Sequence, residues 1–184
     1  MPPQKPMQPE PAQQEPPRPS PQVTDPLDTI PDSEKPIRTD RRVYRFEPGA
    51  EPEYREFRII ARFENRTGNR IHLHSCNRGM GPTFLLQKRT PDGWADAYQS
   101  VCAGPFLNDP PTLAPGEVSV DTLRIRHYPD STSYGTSFRV PEIPGTYRLV
   151  YYFERSWPPP PEGTFLEKLA PIEHRVSNCF VIEQ

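Results

Sequence analysis

Between residues 55 and 65 the chain reads REFRIIARFEN, a period-two alternation that constrains the fold more than any other feature. Phe57, Ile59, Ala61 and Phe63 fall on one side of an extended strand, and Arg58, Arg62 and Glu64 fall mostly on the other. One apolar face and one charged face fit a half-buried strand of an antiparallel sheet, solvated on its outer side. Similar patterns recur to the end of the chain, with almost no helical periodicity.

RVYRFE (42–47) predicts an edge strand, and RIHLHS (70–75) a return strand with Ile71 and Leu73 inward after the turn RTGN. TFLLQKR follows, then TPDGW, whose Pro-Asp-Gly is a strong turn signal. In LAPGEVSVDTLRI a Pro-Gly turn precedes a strand in which Val118, Val120 and Thr122 oppose Leu123 and Ile125, so a bulge or a two-sided strand is expected. TSFRV (136–140) makes a short strand. GTYRLVYYFER aligns Tyr147, Leu149, Tyr151 and Phe153, and EHRVSNCFVIE sets Val176, Asn178, Phe180 and Ile182 in step. Only GTFLEKLAP (163–171) suggests a helical turn. About eight short strands at these spacings predict an all-β, antiparallel Greek-key sandwich.

Proline sets the expected domain boundary. The chain has 28 prolines in 184 residues, and the first 40 residues contain no glycine and no aromatic ring. Such a segment buries too little apolar surface to offset its ordering entropy, so residues 1–40 read as a disordered Pro/Gln-rich spacer of polyproline II character. The domain is expected over 41–184. A net charge of −2, with acids and bases interspersed, gives no phosphate-tracking face and argues against nucleic-acid binding. No run of 18 apolar residues is present to span a membrane, and the N-terminus lacks the apolar core of a signal peptide. The tail would nevertheless suit a spacer between an anchor or a cleaved signal and the domain.

Three cysteines leave either one pair and a single thiol, or three thiols. Cys76 and Cys102 lie 26 residues apart, each just beyond a strand-like run. A disulfide there would contribute roughly 3 kcal/mol in an oxidising compartment. Cys179, inside the last strand, is expected to pack as a small buried apolar residue.

The stretch RIHLHSC (70–76) puts His72, His74 and Cys76 on one strand face, with Met80 close behind. These are transition-metal ligand types, and His72, His74 and Met80 form the metal alternative. The competing reading has both imidazoles on the solvated face and Cys76 bonded to Cys102. The resemblance to cupredoxins ends at ligand types, because their order of ligands along the chain is not repeated here. His127 and His174 have no nearby nucleophile in a recognisable context. The carboxylates Glu51, Glu53, Asp92, Asp96, Asp121 and Glu162 read as solvated surface, without calcium-loop spacing. NRT (65–67) fits a glycosylation sequon, and reads more simply as a turn. ERSWPPPPEGTF (154–165) predicts a stiff loop in which Trp157, flanked by Pro158, Pro159, Pro160 and Pro161, is a candidate binding anchor.

The segment PEIPGTYRLVYYF resembles the F-strand region of bacterial immunoglobulin-like domains, with Gly145, Tyr147 and Leu149 at the positions of the tyrosine-corner pattern. Leu149 stands where antibody domains carry a cysteine, so their inter-sheet disulfide is not expected. The order FENRTGNRIHLHSC, TFLLQKRTPDGW, LAPGEVSVDTLRI, IPGTYRLVY is similar to uncharacterised Ig-like domains of the cell envelope. More distantly it is similar to the intracellular proteinase inhibitor-like family, which shares the Asn-x-Thr strand end and the later Pro-Gly-Glu turn. The resemblance implies a monomeric, extracytoplasmic, non-catalytic binding or structural module without cofactor, whose partner is another protein or an envelope component. A proteinase inhibitor acting through the Pro-rich loop at Cys102–Leu113 or at 156–163 is the alternative binding role.

Overall fold

The computed structural model describes residues 25–50, 54–73, 82–100, 110–128, 138–154 and 169–183. They form an all-β protein of twelve strands whose only helical pieces are short 3-10 turns.

The longest strands follow the alternation read from the sequence. In β4 (Arg55–Glu64), Phe57, Ile59, Ala61 and Phe63 are buried, while Arg58 and Ile60 face solvent. β4 pairs antiparallel with β9 (Val118–His127) through ten consecutive partners, from Arg55↔His127 to Glu64↔Val118. The expected bulge in β9 is therefore not there. The strand is two-sided: Leu123 and Ile125 are buried on the side of Ser119 and Asp121, and Val118, Val120, Thr122 and Arg124 point outward.

The other half of the sheet runs β7 (Gly93–Gln99), β6 (Phe84–Thr90), β10 (Gly145–Tyr151), β12 (Val176–Glu183), all antiparallel. Gly93, at φ 123°, closes the β6–β7 hairpin behind Pro91 and Asp92, a conformation that side chains resist. Phe138–Val140, the described part of TSFRV, form no strand; Arg139 N–H donates to Ala97 O instead. In GTFLEKLAP, residues 163–168 lie outside the described residues, and Leu169 and Ala170 are buried but not helical.

Two short strands join the halves and correct the expectation of a purely antiparallel sheet. β1 (Ile37–Thr39) pairs antiparallel with β4 and, at Ile37↔Ser177, parallel with β12. β2 (Val43–Arg45) then pairs parallel with β12. The chain crosses between halves at Asp40, whose Oδ1 accepts from Ile60 N–H (2.8 Å) and Tyr44 OH (2.7 Å). RVYRFE is accordingly split, β2 belonging to one half and β3 (Glu47–Pro48) pairing with β4 in the other. The result is one curled mixed sheet closing on an aromatic core, in which Tyr44 packs on Phe57 and Phe180, and Phe63 on Tyr151 and Phe153. A smaller sheet holds β11 (Phe153–Glu154), β5 (Ile71–Leu73) and β8 (Thr112–Leu113) in that order.

The later part of the segment read as a spacer over 1–40 belongs to the fold. Residues 1–24 lie outside the described residues, but 25–40 belong to the fold, and Ile37 is fully buried. Asp25 caps the 3-10 turn Pro26–Thr29 by accepting from Leu27 N–H. This segment lies on the outer side of β6, β10 and β12, with Leu27 against the buried side chains of Leu85, Val150 and Val176. An average over forty residues hid the buried Ile37 and the bonded carboxylates of Asp25 and Asp40.

Candidate functional site

Most residues singled out by the sequence lie outside the described residues: His74, Cys76, Met80, Cys102, Glu51, Glu53, Glu162, Trp157, Pro158, Pro159, Pro160 and Pro161. His72 sits half-buried at the centre of the small sheet, its backbone paired with Thr112 and Glu154, between the buried Ile71 and Leu73. Among the described residues no group of three His, Cys, Asp or Glu side chains could hold a metal ion.

His127 packs against the rings of Phe46 and Phe138, and burial, with Arg55 nearby, lowers its pKa, favouring the neutral imidazole. His174 lies in the 3-10 turn Ile172–His174. Cys179 departs from expectation. It is a free thiol, half-buried on the outward parity of β12, opposite Arg148. Burial and then the Asp32 and Asp28 carboxylates push its pKa up, so it stays a neutral thiol.

Asn65 is a turn residue. Its Nδ2 donates to Asn69 O and Leu113 O at 2.9 Å each, and its Oδ1 accepts from Thr67 N–H and Thr67 Oγ1. The amide nitrogen of the NRT sequon is thus buried and fully engaged.

Asp121 was expected on solvated surface and instead faces inward. Its Oδ2 accepts from Ser119 Oγ (3.0 Å) and from the buried Tyr151 OH (3.5 Å). Burial is the largest influence and raises its pKa despite these two hydrogen bonds. A carboxyl whose folded pKa lies above its unfolded value weakens the fold as pH rises through that interval. Asp121→Asn is therefore expected to raise the thermal midpoint at pH 7, with the gain vanishing by about pH 3, where the carboxyl is protonated in both states. Thermal melts of both proteins across pH check this, and a difference independent of pH would refute it.

Two hollows lie among the described residues beside the elements already named. One of about 700 Å³ opens where β2 parts from β3 and β4, and is lined by Val43, Tyr44 and Phe57 beneath a charged rim. That rim is internally paired, Arg45 with Glu183 at 2.7 Å and Arg58 with Glu56 at 3.4 Å. The other, about 240 Å³, lies beside the Asn65 turn against Ile71, Pro171 and His174. Neither is lined by the Ser119, Asp121 and Tyr151 side chains.

The most distinctive surface is the outer face of β1, β4 and β9. The β4–β9 register sets Arg58 opposite Arg124 and Arg62 opposite Val120, while β1 adds Arg38 beside Arg62. Glu56 is approached by Arg58, Arg124 and Arg126 at 3.4–3.6 Å. Glu64 is approached by Arg38, Arg62 and Arg66 at 3.2–3.9 Å, and the Arg66 hydrogen bond in particular holds its pKa below the usual carboxylate range. Six arginines thus face three carboxylates, Glu56, Glu64 and Glu47, the last opposite Glu56 across β3. Between the two groups lies Ile60, 45% exposed, with Val118 and Val120 on the neighbouring strand, the latter 64% exposed. The sequence shows the outward arginines of β4 but not their union with Arg124 and Arg126, because only the strand pairing brings these together.

The fold and this face define an all-β protein with a patterned basic and aliphatic surface. Comparison of the chain with protein-family models, curated proteins and solved structures finds no match.

Proposed function

We propose that the chain is an immunoglobulin-like binding or structural module, non-catalytic and acting outside the cytoplasm, whose partner is a protein or an envelope component. The observation that carries the reading is the bond from Tyr147 OH to Ile143 O, four residues upstream at the start of β10, which has the form of a tyrosine corner. The strand order supports it. β9, β4 and β1 share one core with β2, β12, β10, β6 and β7, and β1 and β2 lie successively along β12, an arrangement compatible with an Ig-like sandwich. In such a scaffold, loops at the sandwich ends present binding residues on a rigid frame. The Trp157 loop is the leading candidate for that role here, and a Cys76–Cys102 bond would brace the loops in an oxidising compartment.

Fractionation of source cells, thiol counting on the native chain and in-cell photo-cross-linking from position 157 test the proposal together. The expected result is recovery outside the cytoplasm, one free thiol of three, and a discrete adduct. Recovery in the cytoplasm with three free thiols and no adduct would reject it.

A further inference from the structure

We propose that the outer face of β1, β4 and β9 binds an extended acidic polypeptide, its carboxylates on the arginines and its aliphatic side chains on Ile60, Val118 and Val120. The inference rests on the binding-module reading and names the partner's chemistry. Three of the four large hydrophobics exposed among the described residues, Ile60, Val118 and Val120, lie on this face. Folding alone gives no reason for the arrangement. Arg58 directly opposite Arg124 is a like-charged cross-strand pair, which weakens a sheet. The guanidinium of Arg124 is about half exposed and reaches Glu56 only at 3.6 Å. Arginine presents a planar fork that matches a carboxylate in two-point contact, and several forks here are incompletely used.

The pattern distinguishes among anionic partners. Arg58, Ile60 and Arg62 alternate along one strand face, so an extended chain with acid, aliphatic and acid at every second residue matches them in register. A uniform polyanion would meet Glu47, Glu56 and Glu64 as well as the arginines, and those carboxylates repel it. At the end of this face the Tyr54 ring is buried and covered by Arg126 and Tyr128, so it offers no open surface on which a base could stack. Charge complementarity combined with exposed aliphatics therefore selects a polypeptide over a nucleic acid or an anionic membrane.

The test uses the full chain and a synthetic peptide with the repeat Glu-Thr-Val-Thr, alongside its Lys-for-Glu counterpart, a single-stranded oligonucleotide and phosphatidylglycerol vesicles. Titration should show saturable binding of the acidic peptide alone, weakening about tenfold or more from low to high salt. Arg62→Glu with Arg124→Glu should weaken it at least about tenfold, and Val120→Ser about threefold, at unchanged thermal midpoints. If charge reversal unfolds the chain, Arg62→Gln with Arg124→Gln must give the same loss in a folded protein. No saturable binding, equal binding of the Lys peptide, tighter binding of oligonucleotide or vesicle, or indifference to the arginine variants would each overturn the proposal. A chain found outside the cytoplasm and cross-linking from position 157, yet ignoring the peptide, would lose this inference and keep the module reading.

Discussion

Asn65→Ala is expected to lower the thermal midpoint by about 10 °C, corresponding to a loss of about 3 kcal/mol, in a chain that otherwise keeps its fold. The side chain is almost fully buried and makes four hydrogen bonds, two given and two taken. Truncation removes both donors at once and leaves the buried Leu113 carbonyl without its side-chain donor, next to a Thr67 N–H that has lost its acceptor, while the exposed Asn69 carbonyl keeps the Thr67 hydroxyl. Each buried polar group stranded in this way costs about 1–3 kcal/mol, reduced where water can enter. The backbone of Asn65 also bonds to Glu117 and Gly116, so the damage reaches the turn that starts β9. Gly116 holds φ at 78° in that turn. Asn65→Asp sharpens the test. It keeps the acceptor but places a charged oxygen against two carbonyls, so at neutral pH it should be at least as destabilising as alanine. Below about pH 4 a protonated carboxyl regains one donor, and part of the loss should return. Differential scanning calorimetry at two pH values decides this, and an alanine variant within about 2 °C of the parent would show that the turn does not need the amide.

Arg148→Met is expected to destabilise by about 2 kcal/mol and to loosen residues 25–36 from the sheet. Arg148 is only 5% exposed, and its guanidinium donates to Asp25 Oδ2 and Gln87 Oε1 at 2.8 Å each while lying 4.4 Å from the Trp94 ring. Methionine retains the apolar stem and removes all three interactions. Asp25 is partly exposed and can recover water, so the loss falls short of that for a fully buried pair. Burial alone would raise the Asp25 carboxyl, but the bonds from Leu27 N–H and Arg148 outweigh it and hold its pKa below the ordinary value. A depressed folded pKa contributes stability above the unfolded pKa, and that stability is lost as pH falls through the folded value. The gap between parent and variant should therefore narrow below about pH 4. Limited proteolysis within 25–36 and Trp94 fluorescence report the loosening directly, because Asp28 bonds both Arg89 and the Trp94 indole N–H. A variant equally stable and equally resistant to protease would show that this segment does not depend on Arg148.

What could be read from the sequence was local. The inward row of β4, the hairpin at Pro91–Gly93 and the position of Tyr147 each follow from neighbouring residues, and each lies where the pattern places it. Pairings between distant segments could not be read. Nothing near Arg124 signals that it lies opposite Arg58, and nothing in IRTD signals a strand bonded to two others. Cys179 illustrates the same division. Alternation puts it opposite Phe180's side of β12, yet its half-burial comes from residues 25–36, well over a hundred positions earlier in the chain. The loop carrying Trp157 and the stretch from His74 to Met80 depend on residues beyond those the structure describes.

The placement of β12 bears on the order of events during synthesis. Among the described strands it lies last along the chain, and it bonds β1, β2 and β10, so the ladder that joins the two halves of the sheet is the one between it and β1. Contacts as distant as Ile37↔Ser177 carry a large loop-closure entropy, which places closure late in folding. Until β12 emerges, the layer of β6, β7 and β10 opposite β4 and β9 lacks the strand that carries Phe180 and Ile182, and a growing chain leaves part of that apolar surface uncovered.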